Sequence, residues 1–71
     1  MPKLPRIKGK DCCKALAKLG FTEVRQRGSH VVMRRGESGC VVPLHKELKA
    51  GTLSGLLKQA GVSTQELIDA L

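Results

Sequence analysis

The sequence predicts an α+β fold, a three-stranded antiparallel sheet with helices on one of its faces, and three observations predict it. Apolar residues recur at helical spacing toward both ends of the chain. Two hairpin signals lie between those segments. The strands that the hairpins define put apolar side chains on one common face. With 71 residues there is room for a single domain, 1–71, because short chains keep a large exposed fraction. A core of that size supplies only about 3–5 kcal/mol, so good local signals are needed to support it.

The first helix is expected over Gly9 to Leu19, where Cys12, Leu16 and Leu19 share a face. Ile7 and Cys12 sit where a hydrophobic staple would place them, Gly20 ends the helix, and Phe21 turns back onto the core. Strand, tight turn and strand then follow as Thr22 to Arg27, Gly28-Ser29 and His30 to Arg35, with Gly-X suited to a type II′ turn. That turn pairs Arg27 with His30, Arg25 with Val32 and Glu23 with Arg34 on one side. On the other side it pairs Val24 with Met33 and Gln26 with Val31.

A second hairpin is expected to close at Glu37-Ser38 and bring Cys40 to Leu44 alongside the middle strand, Met33 meeting Val42 and Val31 meeting Leu44. Val24, Val31, Met33, Val42 and Leu44 then form the face that helices cover. Val32 and Val41 are left on the open face, and the register gives no reason for them. Pro43 fits an edge strand, which can spare an N–H. Leu53, Leu56, Leu57 and Ala60 mark a second helix over Ala50 to Ala60 that stops at Gly61. Ser63-Thr64-Gln65-Glu66 is a capping box, and with the Val62 and Leu67 staple it starts a short third helix. No repeat, low-complexity segment or interdomain linker interrupts this order.

Thirteen Lys and Arg against six Asp and Glu give a net charge of +7, a strong positive potential on so small a surface. A polyanion is the expected partner, and nucleic acid fits best because phosphate neutralisation supplies most non-specific affinity. Phe21 is the only aromatic residue, which argues against a base-stacking platform. Cys12, Cys13 and Cys40 are odd in number and no apolar export segment leads the chain, so reduced thiols and a cytoplasmic location are expected. The thiols of Cys12 and Cys13 are expected to act as small apolar groups of the first helix. No apolar run approaches the ~20 residues of a membrane helix.

The first hairpin puts His30 on the face that carries Arg25, Arg27 and Arg34. Neighbouring positive charge is expected to lower a histidine pKa and keep the ring able to accept a proton near neutrality. Cleavage of an RNA strand needs a base for the 2′-hydroxyl and cations for the developing phosphorane charge, and both kinds of group are present. Spacing alone also admits a turn-flanking polar residue. Cys40 and His45 are the only pair near metal-ligand spacing, too few for a zinc site, so no metal is expected.

Five ordered blocks carry a resemblance: Gly20-Phe21, Arg25-Gln26-Arg27-Gly28-Ser29-His30, Val42-Pro43-Leu44-His45, Glu47-Leu48-Lys49-Ala50-Gly51-Thr52-Leu53 and Leu57-Lys58-Gln59-Ala60-Gly61. Together they resemble the HicA family of toxins. The resemblance implies a fold like that of double-stranded-RNA-binding domains, α-β-β-β-α with a short extra C-terminal helix here. It implies ribosome-independent cleavage of mRNA, with the family's catalytic histidine falling on His30, and inhibition by a HicB-type antitoxin that covers the site.

Arg25, Arg27, Ser29, Arg34 and Lys46 are the expected RNA contacts, and His45 is a candidate second acid–base residue. Lys3, Arg6, Lys8, Lys10, Lys46 and Lys49 are expected to hold phosphates or an acidic antitoxin surface. No cofactor, small-molecule ligand or membrane is expected. Two departures from the family pattern are a short His45 to Glu47 segment and Lys8 at a position where a capping serine is common. The alternative from another class is a non-catalytic RNA-binding module that grips duplex by shape.

Overall fold

The computed structural model describes residue 4, residues 6–44 and residues 47–71. Its elements run β1 (Ile7–Lys8), α1 (Gly9–Lys18), β2 (Thr22–Arg27), β3 (His30–Arg35), β4 (Ser38–Pro43), β5 (Glu47–Leu48), α2 (Ala50–Ala60) and α3 (Thr64–Ala70). The sheet has the order β2-β3-β4, all antiparallel, and the fold is the expected α-β-β-β-α layout with an added C-terminal helix. A two-residue antiparallel pair, Ile7 with Leu48 and Lys8 with Glu47, is an element that the sequence reading lacked. It joins the entry to α1 with the entry to α2.

α1 and α2 end at their glycine signals, and α3 begins at its capping box. α1 stops at Lys18, with Gly20 N–H donating to Ala17 O (3.1 Å) and Phe21 N–H to Leu16 O (3.0 Å). α2 ends in the same way, Val62 N–H donating to Leu57 O (3.0 Å). These bonds satisfy carbonyls that the last helical turn leaves open, and each returns an apolar residue, Phe21 or Val62, to the core. At α3 the capping box is complete: Glu66 N–H donates to Ser63 Oγ (3.0 Å) and Ser63 N–H to Glu66 Oε1 (2.9 Å). The Ser63 backbone and hydroxyl hydrogen bonds hold the Glu66 carboxyl below its usual pKa.

The core lies between the helices and one face of the sheet. Leu16, Leu48, Leu53, Leu67, Val31, Val42 and Cys12 are its fully buried side chains. Alternation along β3 and β4 explains which strand residues join: Val31 and Met33 face inward with Cys40 and Val42, and Leu44 packs partly against them. Gly9 opens α1 against the end of β4, where any Cβ would overlap the Pro43 carbonyl oxygen. Only glycine permits that approach.

Two details of the expected register are corrected. A β-bulge between Glu23 and Arg25 makes Val24 the extra residue, so Thr22 pairs with Arg34, Glu23 with Met33, and Val24 is 53 % exposed instead of buried. β2 is an edge strand with no buried residue, and bulges concentrate at such edges, where they increase twist and discourage further pairing.

The second turn is Gly36-Glu37, not Glu37-Ser38, which pairs Met33 with Cys40 and Val31 with Val42. A type II′ turn needs positive φ at its first central residue. Gly36 supplies it (φ 61), as Gly28 does in the first hairpin (φ 54). The shift moves partners by two residues, so the inward face survives with Cys40 added. Pro43 lies on the edge strand β4, as expected.

Candidate functional site

The open face of the sheet is built by alternation. Since Val31 and Met33 point into the core, His30, Val32 and Arg34 lie on the opposite side of β3. Antiparallel pairing then sets three rungs across that face: Arg27, His30 and Pro43; Arg25, Val32 and Val41; Thr22, Arg34 and Gly39. His30 is exposed, as are Arg25, Arg27 and Arg34. The structure therefore brings together His30, Arg25, Arg27 and Arg34, with Ser29 half-buried in the adjoining turn.

The turn before His30 is held at both of its carbonyls. Gln26 Nε2 donates to Gly28 O (3.0 Å), and Leu44 N–H donates to Ser29 O (2.6 Å). The first bond closes the β2 side of the turn and the second fastens it to the chain leaving β4. Gln26 and Leu44 thus fix where His30 stands, a role that the sequence reading did not give them. Gln26 stood within the block around His30, and a side-chain amide two residues before a tight turn was the available signal.

Arg35 resembles the other arginines in sequence and differs in place. Its Nη1 donates to Leu19 O at the end of α1 (2.9 Å), and its guanidinium lies 4.7 Å from the Phe21 ring centroid. Both contacts complement the negative end of the helix and the ring face. Arg35 belongs to the framework.

The thiols lie inside the domain. Burial, with Cys13 and Cys40 close by, pushes the Cys12 thiol up to about 12. Burial followed by the proximity of Cys13 pushes Cys40 up to about 11. Cys13 is half-buried and is raised by burial and then by Glu23. Thiols held protonated in this way are poor nucleophiles. Among the described residues, no three His, Cys, Asp or Glu side chains gather as a metal ion would require.

Lys3, His45 and Lys46 lie outside the described residues, and so does the metal-ligand pairing of Cys40 with His45. Arg6, Lys8, Lys10 and Lys49 are exposed. Among the described residues no helix is long and apolar enough to cross a membrane.

A family model described as the HicA toxin of bacterial toxin-antitoxin matches residues 9–62, which spans α1 through the end of α2. No curated protein matches the chain closely enough to count as a relative. The matched residues hold the whole three-stranded sheet, its open face and both helices that flank it in sequence. The chain belongs to the HicA toxin family of bacterial toxin–antitoxin systems.

Proposed function

We propose that this toxin is a metal-independent endoribonuclease that cleaves mRNA, with His30 as general base. The observation that carries the reading is the company of His30: an exposed imidazole directly across from Arg27, with Arg25 and Arg34 on the same uncovered face. His30 takes the proton of a ribose 2′-hydroxyl, whose oxygen attacks the adjacent phosphorus. The bond from phosphorus to the 5′ oxygen breaks, a 2′,3′-cyclic phosphate remains on one fragment, and the departing oxygen takes a proton from water. Arg25 and Arg27 hold the phosphate and offset the charge that builds on its oxygens. Ser29, Arg34 and Lys46 add contacts to the strand, and His45 is a candidate second acid–base residue that could stand in for that water.

The net charge of +7 supports a polyanionic substrate. The family pairs its toxins with an antitoxin, and we assign the basic open face to a HicB-type partner that covers His30 and blocks RNA. A site of this kind works in the cytoplasm, where its message substrate is.

The test compares a normal RNA with the same strand carrying 2′-deoxy sugars throughout, each incubated with the purified chain in the presence of a chelator. Cleavage of the normal strand alone is expected. Equal cleavage of both strands excludes attack by the 2′-hydroxyl, and loss of activity on chelation excludes metal independence.

A further inference from the structure

The open face is divided lengthwise. Its β2 side presents Arg25 and Arg27, its β3 centre presents His30, Val32 and Arg34, and its β4 side presents Gly39, Val41 and Pro43 without a charge. Val41 is 46 % exposed, and Val32 and Pro43 beside it are half-buried. Exposed apolar side chains in the middle of a basic sheet face have no part in the core and lie against solvent at a cost. At the end of this strip away from His30, a shallow depression of about 350 Å³ is walled by Val32, Arg34, Gly39 and Val41 and, past the β4 edge, by Glu37, Cys40 and Gln59.

A nucleotide has the same order across its width: charged phosphate, ribose, then an apolar base face. Proton abstraction from the 2′-hydroxyl requires the ribose to lie over His30, and the ribose is covalently between phosphate and base. With phosphates over Arg25 and Arg27, the bases must fall toward β4. The three strands are ~4.8 Å apart, so Arg27 and Pro43 stand roughly 10 Å from each other, on the scale of one nucleotide from phosphate to base.

From this correspondence we infer that Val32, Val41 and Pro43 form a base-binding strip, so that the face takes a single-stranded RNA lying along β3 with phosphates over β2 and unpaired bases over β4. The inference rests on the proposed RNA-cleaving role of the same face. A duplex would keep its base faces stacked and withhold them from the strip. Apolar contact carries no hydrogen-bond code, so the strip holds any base and the site is tolerant of sequence.

Binding of a non-cleavable strand tests this without relying on catalysis. The probes are a 2′-fluoro oligouridine of about eight nucleotides and the same backbone with abasic sugars throughout. Val41→Ser is expected to weaken the uridine strand about fivefold while leaving the abasic strand unchanged, because only the first presents apolar surface to the strip. Arg25→Gln is expected to weaken both strands alike and to reduce the salt dependence by about one phosphate contact.

Equal weakening of both strands by Val41→Ser overturns the base strip. An unchanged uridine affinity also overturns it, and leaves the valines to another occupant such as the antitoxin. A normal chain that binds neither strand overturns the RNA reading itself and the strip with it, whereas a chain that binds in the expected pattern yet cuts no RNA overturns cleavage alone.

Discussion

His30 and Arg27 are cross-strand partners, the first residue of β3 facing the last of β2 over the two-residue Gly28-Ser29 turn. Nothing shorter could bring an imidazole and a guanidinium together on one sheet face, and the turn that does it depends on Gly28 at φ 54. Open space surrounds the position of a Cβ there, so backbone conformation is the sole obstacle to a side chain.

Gly28→Ala is therefore expected to cost about 1–2 kcal/mol by forcing an L-residue to positive φ. Gln26→Ala, which removes the donor to Gly28 O, is expected to cost about 1 kcal/mol or less, since the bond is exposed. Urea denaturation gives both values. The account of the turn is wrong if Gly28→Ala is as stable as the parent. Both variants are also expected to lower RNA cleavage by more than their folded fraction explains, because each loosens the placement of His30.

The helical glycines give opposite expectations for one substitution. Gly9→Ala drives a methyl group into the Pro43 carbonyl, and a loss of about 2–4 kcal/mol is expected. Gly55 lies in α2 with open space at its Cβ, so Gly55→Ala is expected to gain about 0.5–1 kcal/mol from helix propensity. Thermal midpoints that move in the same direction for both variants contradict the packing described for α1 against β4.

Arg35 offers a control for charge. Arg35→Ala removes the bond to Leu19 O and the contact with Phe21, and is expected to cost about 1–2 kcal/mol. RNA affinity at equal folded fraction is expected to change little beyond the loss of one distant charge. A variant that keeps its stability and loses RNA binding would move Arg35 from the framework to the site.

Alkaline stability follows from the buried thiols. The folded values of Cys12 (about 12) and Cys40 (about 11) lie above the ordinary thiol value of 9.0, so the native state holds these protons more tightly than the unfolded chain. Their contribution is complete below pH 9.0 and is lost as pH rises from there through the folded values. The slope is about 1 kcal/mol per pH unit for each thiol. Cys40→Val is expected to flatten the dependence of the urea midpoint between pH 9.0 and about 11. An equally steep profile in the variant removes the thiol from the explanation.

Much of this was legible in the sequence because it rests on local signals. The Leu53, Leu56, Leu57 and Ala60 stripe gave α2 its bounds, Ser63 with Glu66 gave the start of α3, and Gly28 gave the first turn and the pairing of His30 with Arg27. The second turn was equally open to the rule that located the first, since Arg35-Gly36-Glu37-Ser38 repeats the Arg-Gly pattern of Arg27-Gly28-Ser29-His30. Centring it one residue later ignored the demand for glycine at positive φ.

The bulge at Val24 and the pairing of Ile7 with Leu48 left no local mark. Strict alternation gives no reason for an unpaired residue. Two-residue strands far apart in sequence meet only after the helices have packed. Turn chemistry put His30 on the open face with its arginines, whereas its choice as the candidate catalytic residue came from the family resemblance. The hydrogen bonds from Gln26 and Leu44 and the framework role of Arg35 emerged only with tertiary placement.

The most direct test of the central claim is controlled expression of the normal chain and of His30→Ala, with growth and mRNA integrity followed together. The normal chain is expected to arrest growth and fragment messages. The His30→Ala chain, folded to the same extent and binding RNA, is expected to cleave at least about 100-fold more slowly and to leave growth intact. A His30→Ala chain that fragments messages as fast as the parent contradicts a general base at His30.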